Sequence, residues 1–311
     1  MNKLNGNITK ILSGLFAVAL LFFIGKNIIA NWSELSDYQL SLRPVQLLGS
    51  FLLFSISVLF SAMAFQIMLR GGGVVLPFKR VLAISTFSQV GKYLPGNVWP
   101  YLVRFRYLKQ DISSGAFISI AILENVVMVF AAITLGAISL IELSDSPFII
   151  PTVTIITLAL ILIIVKPAWF YGVINFGSRY IKFLKVESEQ RLNQSVLAKS
   201  YILLLISWIT KGAGFYFLVS SILEIPAGQL IFFISAFASA VIAGYIVIIV
   251  PSGLGVREGV MVLLLQTIFP LNIASLIAIV ARLWVVASDV VLSLPAFFYL
   301  NKTQNNENQP S

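Results

Sequence analysis

The chain contains no histidine and no cysteine among its 311 residues. Histidine general bases, cysteine nucleophiles, the usual zinc ligands and disulfides are excluded together. Charge is scarce as well: 11% of residues are charged and only 12 are acidic. Soluble domains carry about 25% charged and about 45–50% apolar residues, whereas 59% of this chain is hydrophobic. That composition specifies an integral membrane protein, whose span count sets the architecture. A net charge of +9 would suggest nucleic acid in a soluble protein. In a membrane protein it reads as Lys and Arg held in cytoplasmic loops. No nucleic acid, metal or cofactor is expected, and no nucleotide-binding motif occurs. An enzyme is not expected either, because only Glu124 or Glu258 would remain to serve as a base.

What is present is a series of apolar runs. "ILSGLFAVALLFFIG" follows Lys3 and Lys10 in the manner of a signal peptide. No small-x-small cleavage site follows at the proper distance, so an uncleaved first span is expected. A membrane helix needs about 20 mostly apolar residues. Six full spans are expected, near 11–30, 45–69, 113–141, 147–166, 199–222 and 273–299. Two further segments, 78–108 and 228–269, are interrupted by "LPGN" (94–97) and "VPSGLG" (250–255). Proline lacks a donor and glycine frees the backbone, so both sites read as helix breaks.

The expected fold is thus an all-α polytopic membrane protein with 8 hydrophobic units. A single transmembrane domain would fill 1–300, and a disordered cytoplasmic tail 301–311. The loop 168–195 mixes aromatics with Lys and Arg. It suits either an amphipathic helix on the inner membrane face or a solvated connector.

Loop charges set the orientation. Lys3 and Lys10, then Arg70, Lys79 and Arg80, then Arg104, Arg106 and Lys109, the 166–199 loop and Lys302 mark one side. Glu34, Asp37, Glu142, Asp145 and Glu224 mark the other. Both termini are therefore expected in the cytoplasm, with the first broken segment entering from inside and the second from outside. Backbone that re-enters is tolerated only where it is buried in protein or lines a wet cavity.

Pro95 aligns with Pro251, and "ISIAILENVV" (118–127) with "IAIVARLWVV" (277–286). Span and broken-segment order recurs over 11–141 and 147–299, with three full spans between the breaks. An odd number makes two inverted repeats, a transporter pattern with its substrate site between the copies.

Charge within a span is costly, at least about 2.5 kcal/mol at the centre. The candidates are Lys92, Glu124, Lys211, Arg257, Glu258, Arg282 and Asp289. Arg282 and Asp289 are two helical turns apart and share a face. Glu124 and Arg282 are expected either to pair with each other across the repeats or to serve function, Glu124 and Asp289 then as proton-coupling groups. Lys211 is deep for a snorkelling lysine, Lys92 is within reach of headgroups, and Arg104 reads as an orientation signal. Cations outnumber carboxylates, and the second half of a broken helix offers free N–H groups at its positive end. Gly96, Gly253 and Gly255 would let a headgroup approach closely, so an anionic phosphate is the expected ligand.

"GKYLPGNVW" (91–99) and "PSGLGVREG" (251–259) resemble the signature stretches of the transmembrane region of the lysylphosphatidylglycerol synthase/flippase family. The resemblance covers about 10–300, and Ser252 replaces a commoner glycine. It implies a lipid-flipping or flippase-like domain, and it points to Lys92, Pro95, Gly96, Pro251, Gly253, Gly255, Arg257 and Glu258. The soluble aminoacyl-transferase domain of full-length members has no counterpart expected here, so synthase activity is not carried over.

The expected function is translocation of a phosphate-bearing lipid between leaflets of a prokaryotic inner membrane. The partner would be an anionic phospholipid or a polyprenyl-phosphate-linked lipid. The alternative is a non-transporting accessory subunit working with enzymes of envelope biosynthesis.

Overall fold

The computed structural model describes residues 42–94, 98–139, 148–179, 192–246 and 255–307. The described residues are helical and contain no strand. The expected first span, 11–30, lies outside them. Among the described residues, five helices are long and apolar enough to cross a membrane: Pro44–Gly71, Ser114–Gly136, Gln194–Ser220, Ala227–Tyr245 and Leu271–Thr303.

The helix α1 (Pro44–Gly71) begins at a proline, whose missing N–H costs nothing in a first turn. Next come α2 (Phe78–Ser88), a 3-10 turn over Gln89–Tyr93, and α3 (Trp99–Leu108). At 1.5 Å per residue, α2 and α3 are each about 15 Å long, half of a roughly 30 Å hydrocarbon core. Their outer ends meet. Arg80, in the first turn of α2, donates to the Tyr107 carbonyl at 3.2 Å and pairs with Asp111 at 3.0 Å, just past α3. The first broken segment therefore turns back on itself. Gly91 allows the fold-back, because a Cβ there would lie 2.8 Å from the Pro100 backbone nitrogen.

The helix α4 (Ser114–Gly136) is capped by Ser113, whose hydroxyl accepts from the Ala116 N–H. The run expected as a plain span at 147–166 is α5 (Ile149–Val165), which bends by 98° into α6 (Pro167–Ser178). The cause is local: Lys166 precedes a proline and takes extended dihedrals, which ends α5. Along α6, Phe170, Tyr171 and Ile174 are buried while Trp169 and Phe176 are exposed. This helix covers the first part of the 168–195 stretch, whose residues 180–191 lie outside the described residues.

The helix α7 (Gln194–Ser220) is capped by Asn193. After it come α8 (Leu230–Ile246), α9 (Val256–Leu265) and α10 (Leu271–Glu307). The two broken segments are unequal. Ala227–Tyr245 is long enough to cross by itself, whereas α9 has 10 residues. The helix α10 runs through Pro295 and continues over the polar residues 301–307.

Three contacts organise the bundle. The helices α1 and α7 lie antiparallel and approach closely through small residues, the usual way helices associate where there is no water to exclude. Ser50 Oγ donates to the Gly214 carbonyl at 2.7 Å, Ser207 Oγ to the Ser57 carbonyl at 2.8 Å, and Ser200 Oγ to the Ala64 carbonyl at 3.5 Å. Further out, α8 packs on α4, where Ser239 Oγ donates to the Gly136 carbonyl at 2.9 Å. The helix α2 packs on α10, where Ser293 Oγ donates to the Thr86 carbonyl at 3.1 Å.

Candidate functional site

The helix α10 carries Arg282 and Asp289 two turns apart, and each reaches a different broken segment. Asp289 Oδ2 receives Lys92 Nζ at 2.5 Å and the Tyr93 hydroxyl at 2.5 Å, both from the 3-10 turn that ends the first half of the first segment. Arg282 Nη1 meets Glu258 Oε1 at 3.3 Å, in the first turn of α9. One helix thus fastens both breaks, with charges of opposite sign.

Glu258 has a second task. Gly255 stands at the N-cap of α9 with φ of 78°, a region open to glycine and strained for other residues. Its N–H donates to Glu258 Oε2 at 2.8 Å. The carboxylate therefore caps its own helix with one oxygen and holds Arg282 with the other. This corrects two expectations. The Gly255 N–H, expected to meet a headgroup, is occupied by Glu258. Arg282, one of the two groups of the expected cross-repeat pair, is taken by Glu258.

Glu124, the other member of that pair, bonds Arg104 instead. Arg104 Nη1 lies 2.5 Å from Glu124 Oε2, and the two side chains are only 9% and 10% exposed. Arg104 Nε also donates to Ser88 Oγ at 3.1 Å, and the guanidinium lies over the Phe65 ring at 4.6 Å. Arg104 is thus a buried group that joins α3, α2, α1 and α4, not a loop charge. Arg106 and Lys109 beside it are exposed and keep the orientation signal. Nearby, the Tyr101 hydroxyl donates to Asn125 Oδ1 at 2.7 Å.

Lys211 and Arg257 differ from these groups: neither forms an ion pair or hydrogen bond among the described residues. Each sits on an aromatic face. Lys211 Nζ is 5.2 Å from the Trp208 centroid, and Arg257 Cζ is 5.2 Å from the Phe237 centroid. The two rings touch, with centroids 6.5 Å apart. Arg257 Nη2 is enclosed and has no acceptor among the described residues. A buried donor left unpaired costs about 1–3 kcal/mol, and a cation–π contact offsets about 0.5–2 kcal/mol of that.

Electrostatic interactions link these groups into one cluster. Lys211 feels Lys92, Asp289, Arg257 and Glu124, and Arg257 feels Arg282, Glu258, Tyr93 and Asp289. The cluster is not sealed: the Lys92 side chain is 33% exposed and that of Glu258 23%. Such an arrangement can hold an anion among fixed charges. No group of three or more acidic residues positioned for a metal occurs among the described residues.

The family profile described as the lysylphosphatidylglycerol synthase TM region matches residues 10–293, taking in both breaks and most of α10. The chain belongs to this family. No curated protein sequence matches it. As a member of the lysylphosphatidylglycerol synthase transmembrane family, the protein is a multi-pass membrane protein associated with membrane lipid.

In this family member, the two signature stretches supply the Lys92, Tyr93 and Glu258 contacts to α10. The structure brings Lys92, Lys211, Arg257, Glu258, Arg282 and Asp289 together, with Glu124 joined through its influence on Lys211. Pro95, Gly96, Pro251 and Gly253 lie outside the described residues. Sequence reasoning missed Tyr93, Arg104 and the Trp208–Phe237 platform. The signal for Arg104 was available: "NVWPYLVRF" resumes a helix after the break, and Arg104 lies within it.

Proposed function

We propose that the protein translocates a phosphate-bearing lipid between leaflets of a prokaryotic inner membrane, with both termini in the cytoplasm. The observation that carries this reading is the partly accessible charged cluster where both broken segments meet α10. A lipid headgroup needs a polar path while its tails stay in hydrocarbon, and charge this deep in a membrane protein marks such a path. The family's association with lipid supports the same reading. In this proposal the protein makes and breaks no covalent bond.

The mechanism follows the repeat. The order long helix, broken segment, long helix occurs twice, and α7 starts 150 residues after α1 (194 − 44). At that offset the bond from Ser50 to Gly214 becomes the bond from Ser200 to Ala64, and both are present. Ser207, equivalent to Ser57 at the same offset, donates its hydroxyl to the Ser57 carbonyl. Reciprocal contacts between antiparallel equivalents support two copies related by a two-fold axis in the membrane plane, passing near Ser57 and Ser207. Rocking one copy against the other would open the cluster to each leaflet in turn.

The test is reconstitution into liposomes carrying a fluorescent phospholipid, with exposure of the label read by a membrane-impermeant quencher. Wild-type protein should equilibrate the leaflets. R257A and E258A should each abolish equilibration while eluting as monodisperse, folded protein. Wild-type rates from both variants would refute the proposal.

A further inference from the structure

The cluster does not balance its own charge. Among the described residues it holds five cations (Lys92, Arg104, Lys211, Arg257 and Arg282) against three carboxylates (Glu124, Glu258 and Asp289). Each carboxylate is bonded to one cation, Arg104 to Glu124, Arg282 to Glu258 and Lys92 to Asp289. The excess of two positive charges is therefore localised on Lys211 and Arg257.

Those two side chains are also the two that rest on ring faces. An aromatic face holds a cation in place without neutralising it. The platform is fixed from behind. Trp208 Nε1 donates to the Met128 carbonyl at 3.2 Å, and Phe237 packs against Phe54 and Phe215 with centroids 6.0 and 5.5 Å away. Arg257 Nη2 has no acceptor among the described residues. Elsewhere in the cluster a cation is met by a carboxylate; here the opposing charge is left to a ligand.

We infer that Lys211 and Arg257 together form the binding site for a phosphate group carrying two negative charges, a phosphomonoester or diphosphate in preference to a singly charged phosphodiester. The inference rests on the lipid-path reading and names the headgroup that path would take. Arginine presents a planar fork matched to two phosphate oxygens, and lysine a compact point charge for a third. Lys92, Glu258 and Arg282 then act as positioning residues, because their charges are committed to one another and to Asp289. Since Arg257 Nη2 is enclosed, full engagement of the phosphate requires neighbouring side chains to shift.

Binding to the detergent-purified full chain tests this with two lipids of identical tails. Dioleoyl phosphatidic acid has a phosphomonoester, and dioleoyl phosphatidylglycerol has a phosphodiester. Phosphatidic acid should bind at least tenfold more tightly at pH 8. K211Q and R257Q should each remove about tenfold or more of that preference, the effect of a lost charge-assisted contact. Their affinity for phosphatidylglycerol should change less. Competition by millimolar inorganic phosphate would support the site and assign it a soluble source; absence of competition alongside the lipid preference would support it and assign it to a lipid. Equal binding of the two lipids, or an undiminished preference in both variants, would overturn the inference. That outcome is separable from failure of the translocation reading. If R257A still abolishes lipid equilibration while no headgroup preference exists, translocation stands and the doubly charged ligand falls.

Discussion

Arg104 and Glu124 show what a single buried charge demands. The pair sits among helices with almost no exposed surface, and Ser88 and Phe65 take the rest of the guanidinium. Removing one partner strands the other, which costs about 3–5 kcal/mol, whereas replacing both by apolar groups of similar size is close to neutral. E124A should therefore lower the midpoint of thermal unfolding in detergent clearly, and R104M/E124L should recover most of the loss. Fluorescence-detected size-exclusion after heating would measure both. Equal loss in the single and double variants would show that the pair does not act as a unit. At this scale the sequence was legible in residue type but not in partnership. Each intramembrane charge was visible as costly, yet Glu124 has two arginines at plausible positions, Arg104 and Arg282. Only the fold-back of the first broken segment decides between them.

Elements were easier to read than their ends. Proline and glycine near 95 and 251 interrupt otherwise continuous apolar runs, and the described helices stop short of them, ending at Tyr93 and Ile246 and resuming at Trp99 and Val256. The inequality of the two broken segments was not visible, because hydropathy alone does not say that Ala227–Tyr245 is a full-length helix. The bend after α5 was likewise hidden within a single apolar run. At the first break, the return of α3 against the 3-10 turn depends on a missing side chain. A Cβ at Gly91 would lie 2.8 and 2.9 Å from backbone atoms of Pro100 and Trp99, which cannot rotate away. G91V should consequently push the two halves apart and weaken the Lys92–Asp289 contact. The expected result is a lower unfolding midpoint than G73A, whose added Cβ would meet nothing within 4 Å despite a φ of 85° at that turn. A G91V midpoint equal to wild type would refute the close approach.

For the whole molecule, the absence of cysteine is an experimental convenience. Ser61 Oγ and Ser207 Oγ lie 2.8 Å apart between α1 and α7, and Ser139 Oγ, just past the end of α4, lies 2.9 Å from Ser239 Oγ of α8. Oxidised S61C/S207C, and S139C/S239C just past the end of α4 and within α8, should each form an intramolecular disulfide with no native thiol to compete, detected as lost maleimide labelling. Persistent labelling of both pairs would contradict the helix arrangement. The proposed repeat was only partly legible at this scale. Proline spacing at the breaks suggested it, while the clearer trace lay in the first helices, where Ser50, Ser57 and Phe65 recur as Ser200, Ser207 and Phe215. Serine and phenylalanine are common in apolar helices, so the recurrence gains meaning only when the two helices are seen to cross at those serines.

That crossing has a mechanical meaning. In a pair of bodies that rock against each other, material on the axis hardly moves, and displacement grows with distance from it. Under the proposed rocking about an axis near Ser57 and Ser207, the serine contacts of α1 and α7 lie where a rivet would be placed, whereas the contact of Ser139 with Ser239 joins residues that are not equivalents across that axis. A disulfide through Ser61 and Ser207 should leave lipid equilibration running, and one through Ser139 and Ser239 should halt it until a reductant is added.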